Sequence, residues 1–238
     1  MVGTTDADAP AGVTFTRAGV LAGARRGVPI ALASFSYGLV YGALARQAGL
    51  SGAEATLSSL LVFSGSAQFV ALDQWAASPP VATLFLTRLV VSVRHLLMGA
   101  ALAPTLAPLP RRRVYASAFF LTDENWALTM REVRAGSRNG ALLLGSGLTL
   151  MAGWVGSTAI GHLAGGAIGD PARWGLDVAF IIVFTALLIG LWEGRPSLLP
   201  WAVAAAVAVA AERWLPGVWY IPLGGPAGGL AGAAHDGR

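Results

Sequence analysis

The sequence predicts an all-α integral membrane protein of about seven transmembrane helices, some of them broken or re-entrant. Three observations lead there. Of 238 residues, 55% are hydrophobic and only 12% charged, about half the charge of a soluble domain. Apolar runs of about 20 residues recur, the length a helix needs to cross the hydrocarbon core. Several of those runs carry polar or charged residues at their centres, where lipid would not tolerate them facing outward.

Residues 1–16 carry Asp6 and Asp8 and no basic stretch, which argues against a cleaved signal peptide and predicts a solvated, disordered tail. Residues 17–215 form one transmembrane domain. Its expected spans are Gly27–Arg46, Glu54–Ala76, Val81–Pro104, Val114–Met130, Gly140–Gly165, Trp174–Trp192 and Leu198–Trp214. Ser78-Pro79-Pro80, Gly169-Asp170-Pro171 and Gly194-Arg195-Pro196 separate spans as turns, since Pro cannot continue a helix. Residues 216–238 are Gly-rich and read as too short to cross again.

Trp174, Trp192, Trp201 and Trp214 fall near span ends, where amphipathic rings settle among headgroups. Asp177 and Glu54 also sit near span ends and read as interfacial. In the fifth span small residues recur at every fourth position: Gly145, Thr149, Gly153, Ser157, Gly161 and Gly165. Gly38 and Gly42 repeat the spacing in the first. Such a ridge lets another helix approach closely in lipid, where burying apolar surface gives no advantage. Whether that helix belongs to this chain or to a partner is left open by the sequence.

All sixteen cations are Arg. They are scattered or held in short loops, a pattern that fits positive membrane loops better than nucleic acid. Arg111–Arg113 and the group Arg131, Arg134 and Arg138 flank one expected span, so both cannot be cytoplasmic if that span crosses simply. A re-entrant or split segment would remove the conflict. Cysteine is absent, so disulfides and thiolate sites are excluded. The three histidines are isolated, and no metal-ligand spacing, phosphate loop or nucleophile motif occurs, so no cofactor, metal or enzymatic activity is expected.

Three segments carry polarity that needs a reason. The third span holds Arg88, Arg94 and His95; a central Arg costs about 2.5–3.5 kcal/mol even on the lenient insertion scale. These groups face protein or water, unless the helix ends near Val93 and Arg94 snorkels. The fourth span holds Thr122, Asp123, Glu124 and Asn125. Adjacent carboxylates in low dielectric resist ionisation unless a cation lies close, so they read as a proton carrier and as partners for Arg88 or Arg94. The alternative is a re-entrant turn whose acids face a helix N-terminus. In the second span, Ser59, Ser66 and Asp73 line one stripe, with Ser64 and Gln68 on another. Such stripes line a cavity or bond another helix, and the Ser64-Gly65-Ser66 centre can unwind to expose backbone to a solute.

Five stretches in this order carry a resemblance: Gly27–Gly42 (GVPIALASFSYGLVYG), Gly49–Glu54 (GLSGAE), Phe63–Phe69 (FSGSAQF), Arg94–Pro104 (RHLLMGAALAP) and Leu121–Asn125 (LTDEN). The chain resembles the AzlC-type branched-chain amino acid permeases over residues 17–215. It departs by a Ser where relatives often have Ala in FSGSAQF and by its Gly-rich tail, which leaves substrate choice open. The resemblance implies a secondary carrier in the cytoplasmic membrane that exports valine, leucine, isoleucine and often methionine. It further implies coupling to the proton motive force and a small AzlD-type membrane partner. Carried over by position, Ser64, Gly65, Ser66 and Gln68 with Arg94 and His95 are expected to bind substrate, with Phe63 and Phe69 against its side chain. Asp123, Glu124 and Arg88 are expected as proton-coupling or counter-charge groups. Uptake or facilitated diffusion of a related solute, and a non-transporting regulatory subunit, are the competing readings.

Overall fold

The computed structural model describes residues 12–73, 75, 81–167, 185, 189, 192, 194–215 and 219–236. Among these residues the chain is helical, and its one β-bridge is the isolated pair Thr14 and Asn139. In chain order the helices are α1 (Arg17–Gln47), α2 (Gly52–Leu61), α3 (Gly65–Asp73), α4 (Val81–Leu106), α5 (Arg111–Phe119), α6 (Asp123–Arg134), α7 (Ala141–Gly165), α8 (Leu198–Trp214) and α9 (Tyr220–Asp236). Among the described helices, α1 and α7 have both the length and the hydropathy to cross a bilayer. The expected sixth span, Trp174–Trp192, lies outside the described residues except at Thr185, Ile189 and Trp192.

Two expected spans are each split into a pair of short helices. The second becomes α2 and α3, broken at Val62–Ser64; the fourth becomes α5 and α6, broken at Phe120–Thr122. The four pieces contain 9–12 residues, so each is about 14–18 Å long, half a hydrocarbon core or little more. The third span does not end at Val93: α4 runs for 26 residues and carries Arg88, Arg94 and His95 within its length. The Gly-rich segment after Pro216 is not a tail, since α9 extends over 17 residues.

The chain divides into two compact units, Met1–Gly38 with Arg94–Ser157, and Leu39–Val93 with Thr158–Arg238. In the first, the small-residue ridge of α7 meets α1 of the same chain. A Cβ at Gly145 would land on the Val20 carbonyl, one at Gly23 on the Leu142 carbonyl, and one at Gly27 within 3.1 Å of Ser146 Cα. These pairs advance together along both helices, so α1 and α7 run parallel, backbone against backbone. Here, as in lipid generally, close van der Waals approach substitutes for hydrophobic burial. Met98, Leu102, Leu106 and Leu109 form an apolar row with Leu121 and Leu143, against which Val13, Phe15, Val114, Trp126 and Met130 pack. Val13 and Phe15 therefore do not belong to a solvated tail: Thr14 N–H donates to Arg138 C=O at 2.9 Å, and Gly140 N–H donates to Thr14 C=O at 3.0 Å.

In the second unit the ridge continues, with Gly161 against Leu39 and Gly165 against Ala43, while Gly42 faces the backbone of Thr158 and His162. The His162 ring Nε2 lies 2.9 Å from Leu50 C=O, tying the α1–α2 turn to α7. Gly224 and Gly228 of α9 sit against Ala204 and Ala208 of α8, the same device with Ala as the small partner. Trp192 meets Trp201 edge to face at 5.1 Å.

Candidate functional site

In the second unit, α2 begins with a reciprocal cap in which Ser51 and Glu54 satisfy each other's backbone N–H groups, and it stops at Leu61. The break follows at once. Phe63 sits at φ +41°, a left-handed conformation that costs an aromatic residue about 1–3 kcal/mol and persists only where surrounding structure enforces it. A helix end in a membrane must find donors for its last carbonyls; Arg88 Nη2 donates to Val62 C=O at 3.0 Å. Arg88 was expected as a counter-charge to the acids of the fourth span. Its guanidinium caps the end of α2.

Gln68 is the hub of this region. Only 2% exposed, it donates through Nε2 to Ser58 Oγ and Ser59 Oγ, both at 3.1 Å. Tyr41 OH donates to Ser58 Oγ at 3.1 Å, and Ser59 Oγ pairs with Thr158 Oγ1 at 2.8 Å. The chain Tyr41, Ser58, Gln68, Ser59 and Thr158 thus joins α1, α2, α3 and α7. Ser59 and Gln68 act as glue here, and they hold both sides of the break. Phe69 is buried with its ring edge on Tyr41, centroids 5.7 Å apart, so its ring belongs to this scaffold. Ser64 differs: it is 5% exposed, yet its Oγ is buried without a hydrogen-bond partner among the described residues. A buried hydroxyl left so costs about 1–3 kcal/mol, and it stands at the break between α2 and α3. Gly65 and Ser66 are half-buried in the first turn of α3.

In the first unit the second break is built differently. Thr122 caps α6, and Asn125, with no exposed surface, bridges the break from both sides. Its Oδ1 accepts from Thr122 N–H at 2.8 Å and its Nδ2 donates to Phe120 C=O at 2.5 Å. Gly147 of α7 leaves room for this, because a Cβ there would press on Phe120 and Asn125 Nδ2. Replacing Asn125 with Leu is expected to strand the Phe120 carbonyl and the Thr122 amide at about 1–3 kcal/mol each. The melting temperature of the purified protein should fall clearly more than for Glu124→Gln, one position away.

Asp123 and Glu124 therefore occupy the first turn of α6 rather than mid-helix, where the helix dipole favours anions. Arg94 of α4 meets Asp123 directly, Nη1 to Oδ2 at 2.6 Å, with the two side chains 40% and 44% exposed. Of the two partnerships expected for these acids, the structure makes the one with Arg94. Glu124 has no ion-pair partner among the described residues, and half-buried His95 follows Arg94 on α4. Ser117, fully buried near the end of α5, and Trp126 Nε1 on α6 also lack hydrogen-bond partners among the described residues.

Sequence reasoning singled out Ser64 and Gln68 in the second span, Arg94 in the third and Asp123 in the fourth, but missed Asn125, Tyr41 and Thr158 as anchors of the two breaks. The Thr122-x-x-Asn125 spacing was a legible cap signal; the hydroxyls of Tyr41 and Thr158 had none. No group of metal-ligating side chains occurs among the described residues. An apolar groove of about 540 Å³ between α8 and α9, lined by Trp201, Ala204, Ala208, Tyr220 and Gly224, contains none of the expected site residues.

Interrupted helices whose freed backbone groups are met by buried polar side chains define a helical integral membrane protein with a polar interior. Comparison with known proteins agrees. A family model described as AzlC protein matches residues 29–168, and the chain belongs to the AzlC family. It is 33% identical over 180 residues to a membrane protein of Archaeoglobus fulgidus, covering 76% of each chain. It is 27% identical to the inner membrane protein YgaZ of Escherichia coli, over 82% of this chain and 80% of that one. To the branched-chain amino acid transport protein AzlC of Bacillus subtilis it is 28% identical, over 69% of this chain and 65% of the relative. No solved structure matches the chain.

Proposed function

We propose that this chain is the large subunit of a secondary carrier that exports branched-chain amino acids across the cytoplasmic membrane, driven by the proton motive force. The observation that carries the reading is the α2–α3 break. There a strained Phe63 and a buried Ser64 hydroxyl without a partner among the described residues mark the interruption of a helix inside a membrane protein, in a relative of a branched-chain amino acid transport protein. Broken helices of this kind present unwound backbone to a solute's charged ends.

On this reading the Ser64–Gln68 segment engages the amino acid, with Ser64 Oγ as a ready donor to its carboxylate. In the other unit, Arg94 and Asp123 supply a cation for a carboxylate and an anion for an ammonium, and Asp123 or Glu124 exchanges the coupled proton. Arg88 acts by holding the end of α2 in place. A small AzlD-type membrane subunit completes the carrier.

Efflux of valine, leucine, isoleucine and methionine from peptide-loaded bacteria tests this directly. Export is expected to require both chains and to collapse with a protonophore. Well-inserted protein that gives no efflux would overturn the reading in favour of uptake or a regulatory subunit.

A further inference from the structure

We propose that the arginine-bearing end of the first unit faces the cytoplasm, and that α5 and α6 form a re-entrant hairpin entering from that side and returning to it. This stands on contacts of the first unit alone and does not depend on what the protein transports.

The key is the short strip Thr14-Phe15-Thr16. At the start of α5, the Arg113 guanidinium stacks over the Phe15 ring, 5.0 Å from its centroid. Just beyond α6, Arg138 C=O accepts from Thr14 N–H at 2.9 Å, and the Asn139 side-chain amide donates to Thr16 Oγ1 at 2.9 Å. The entry to α5 and the exit from α6 therefore touch the same three residues. Three extended residues span at most about 10 Å, whereas opposite faces of the hydrocarbon core lie about 30 Å apart. A pair that crossed could not be held this way at both ends. The lengths agree: α5 and α6 have 9 and 12 residues, about 14 and 18 Å, enough to reach mid-membrane and come back. Non-helical backbone at that depth must be satisfied by protein, and Asn125 does so at the tip.

The hairpin removes the conflict between the two arginine groups, since both now lie at one end. The start of α1 joins them, with Arg26 paired to Glu132 of α6 at 2.6 Å. Arg17, Arg25 and Arg26, Arg111–Arg113, and the three arginines from 131 to 138 make nine of the chain's sixteen, and all nine are exposed. Cations in short segments are retained on the cytoplasmic side, and the anionic lipid of that leaflet attracts them.

The chain has no cysteine, so single thiols report cleanly. Ala107→Cys, before α5, and Ala135→Cys, after α6, are exposed positions and leave every arginine in place. A membrane-impermeant maleimide is expected to label both in inside-out vesicles and neither in intact cells, relative to the total in permeabilised membranes. One thiol labelled in intact cells would mean that the pair crosses; both labelled there would mean that this end is external. Either result overturns the proposal.

Discussion

On the proposed export function, Asp123→Asn is expected to lower amino acid efflux by about ten- to a hundredfold in protein that still inserts. The Arg94–Asp123 pair, 2.6 Å apart, cancels a cation on a membrane helix, and removing one partner of a desolvated charge pair costs about 2–5 kcal/mol. At 1.4 kcal/mol per factor of ten, the lower part of that range corresponds to about a hundredfold. Partial exposure of both side chains sets the lower figure, because water and headgroups share the load. Arg94→Ala should match the loss, while Asp123→Glu, which keeps the charge, should retain part of the transport. The check is initial efflux rate normalised to membrane-inserted protein. Parental rates in both Asp123→Asn and Arg94→Ala would remove this pair from the transport cycle.

Gly145→Leu is expected to abolish recovery of folded protein. A Cβ at that position meets the Val20 carbonyl oxygen directly and lies 2.9 Å from Ala24 N. Both obstacles are backbone, so no side chain can swing away, and the two helices would have to separate along the ridge that joins them. Overpacking costs about 1–3 kcal/mol even where neighbours adjust. Gly156 on the same helix provides the control, since nothing lies within 4 Å of its Cβ position; Gly156→Leu should be tolerated. The measurement is the yield of monodisperse protein in detergent and its melting temperature. Equal behaviour of the two variants would contradict the parallel packing of α1 and α7.

Periodicity and composition made much of this legible. Apolar length located α7 and α8 to within a residue, because both run without interruption between turn signals. The breaks were legible as polarity in the wrong place but not as geometry: LVFSGSAQF and FLTDEN could each be a polar stripe on a straight helix. Two side chains far apart in sequence decide otherwise, Arg88 capping Val62 and Arg94 drawing in Asp123, and no local pattern encodes such pairings. The length of α4 past Val93 was hidden for the same reason, since an Arg-His pair looks like a helix end unless its partner is known. The ten residues before Gly27 were missed because polar arginines mask a helical start when the criterion is apolarity. The tail's helix α9 was missed because glycine has poor intrinsic propensity, whereas in lipid its small size lets it lie against Ala204 and Ala208.

The parallel course of α1 and α7 imposes a rule of parity on everything between them. Both helices start at the end marked by Thr16 and Asn139, so after α1 has crossed, the chain must make an odd number of crossings before α7 begins. With 26 residues, α4 is long enough to supply one by itself. The two broken pairs must then contribute an even number, so they share a fate: both traverse the bilayer or both turn back within it. Thiol labelling at Ala107→Cys and Ala135→Cys therefore also bears on how many times the chain crosses between α1 and α7.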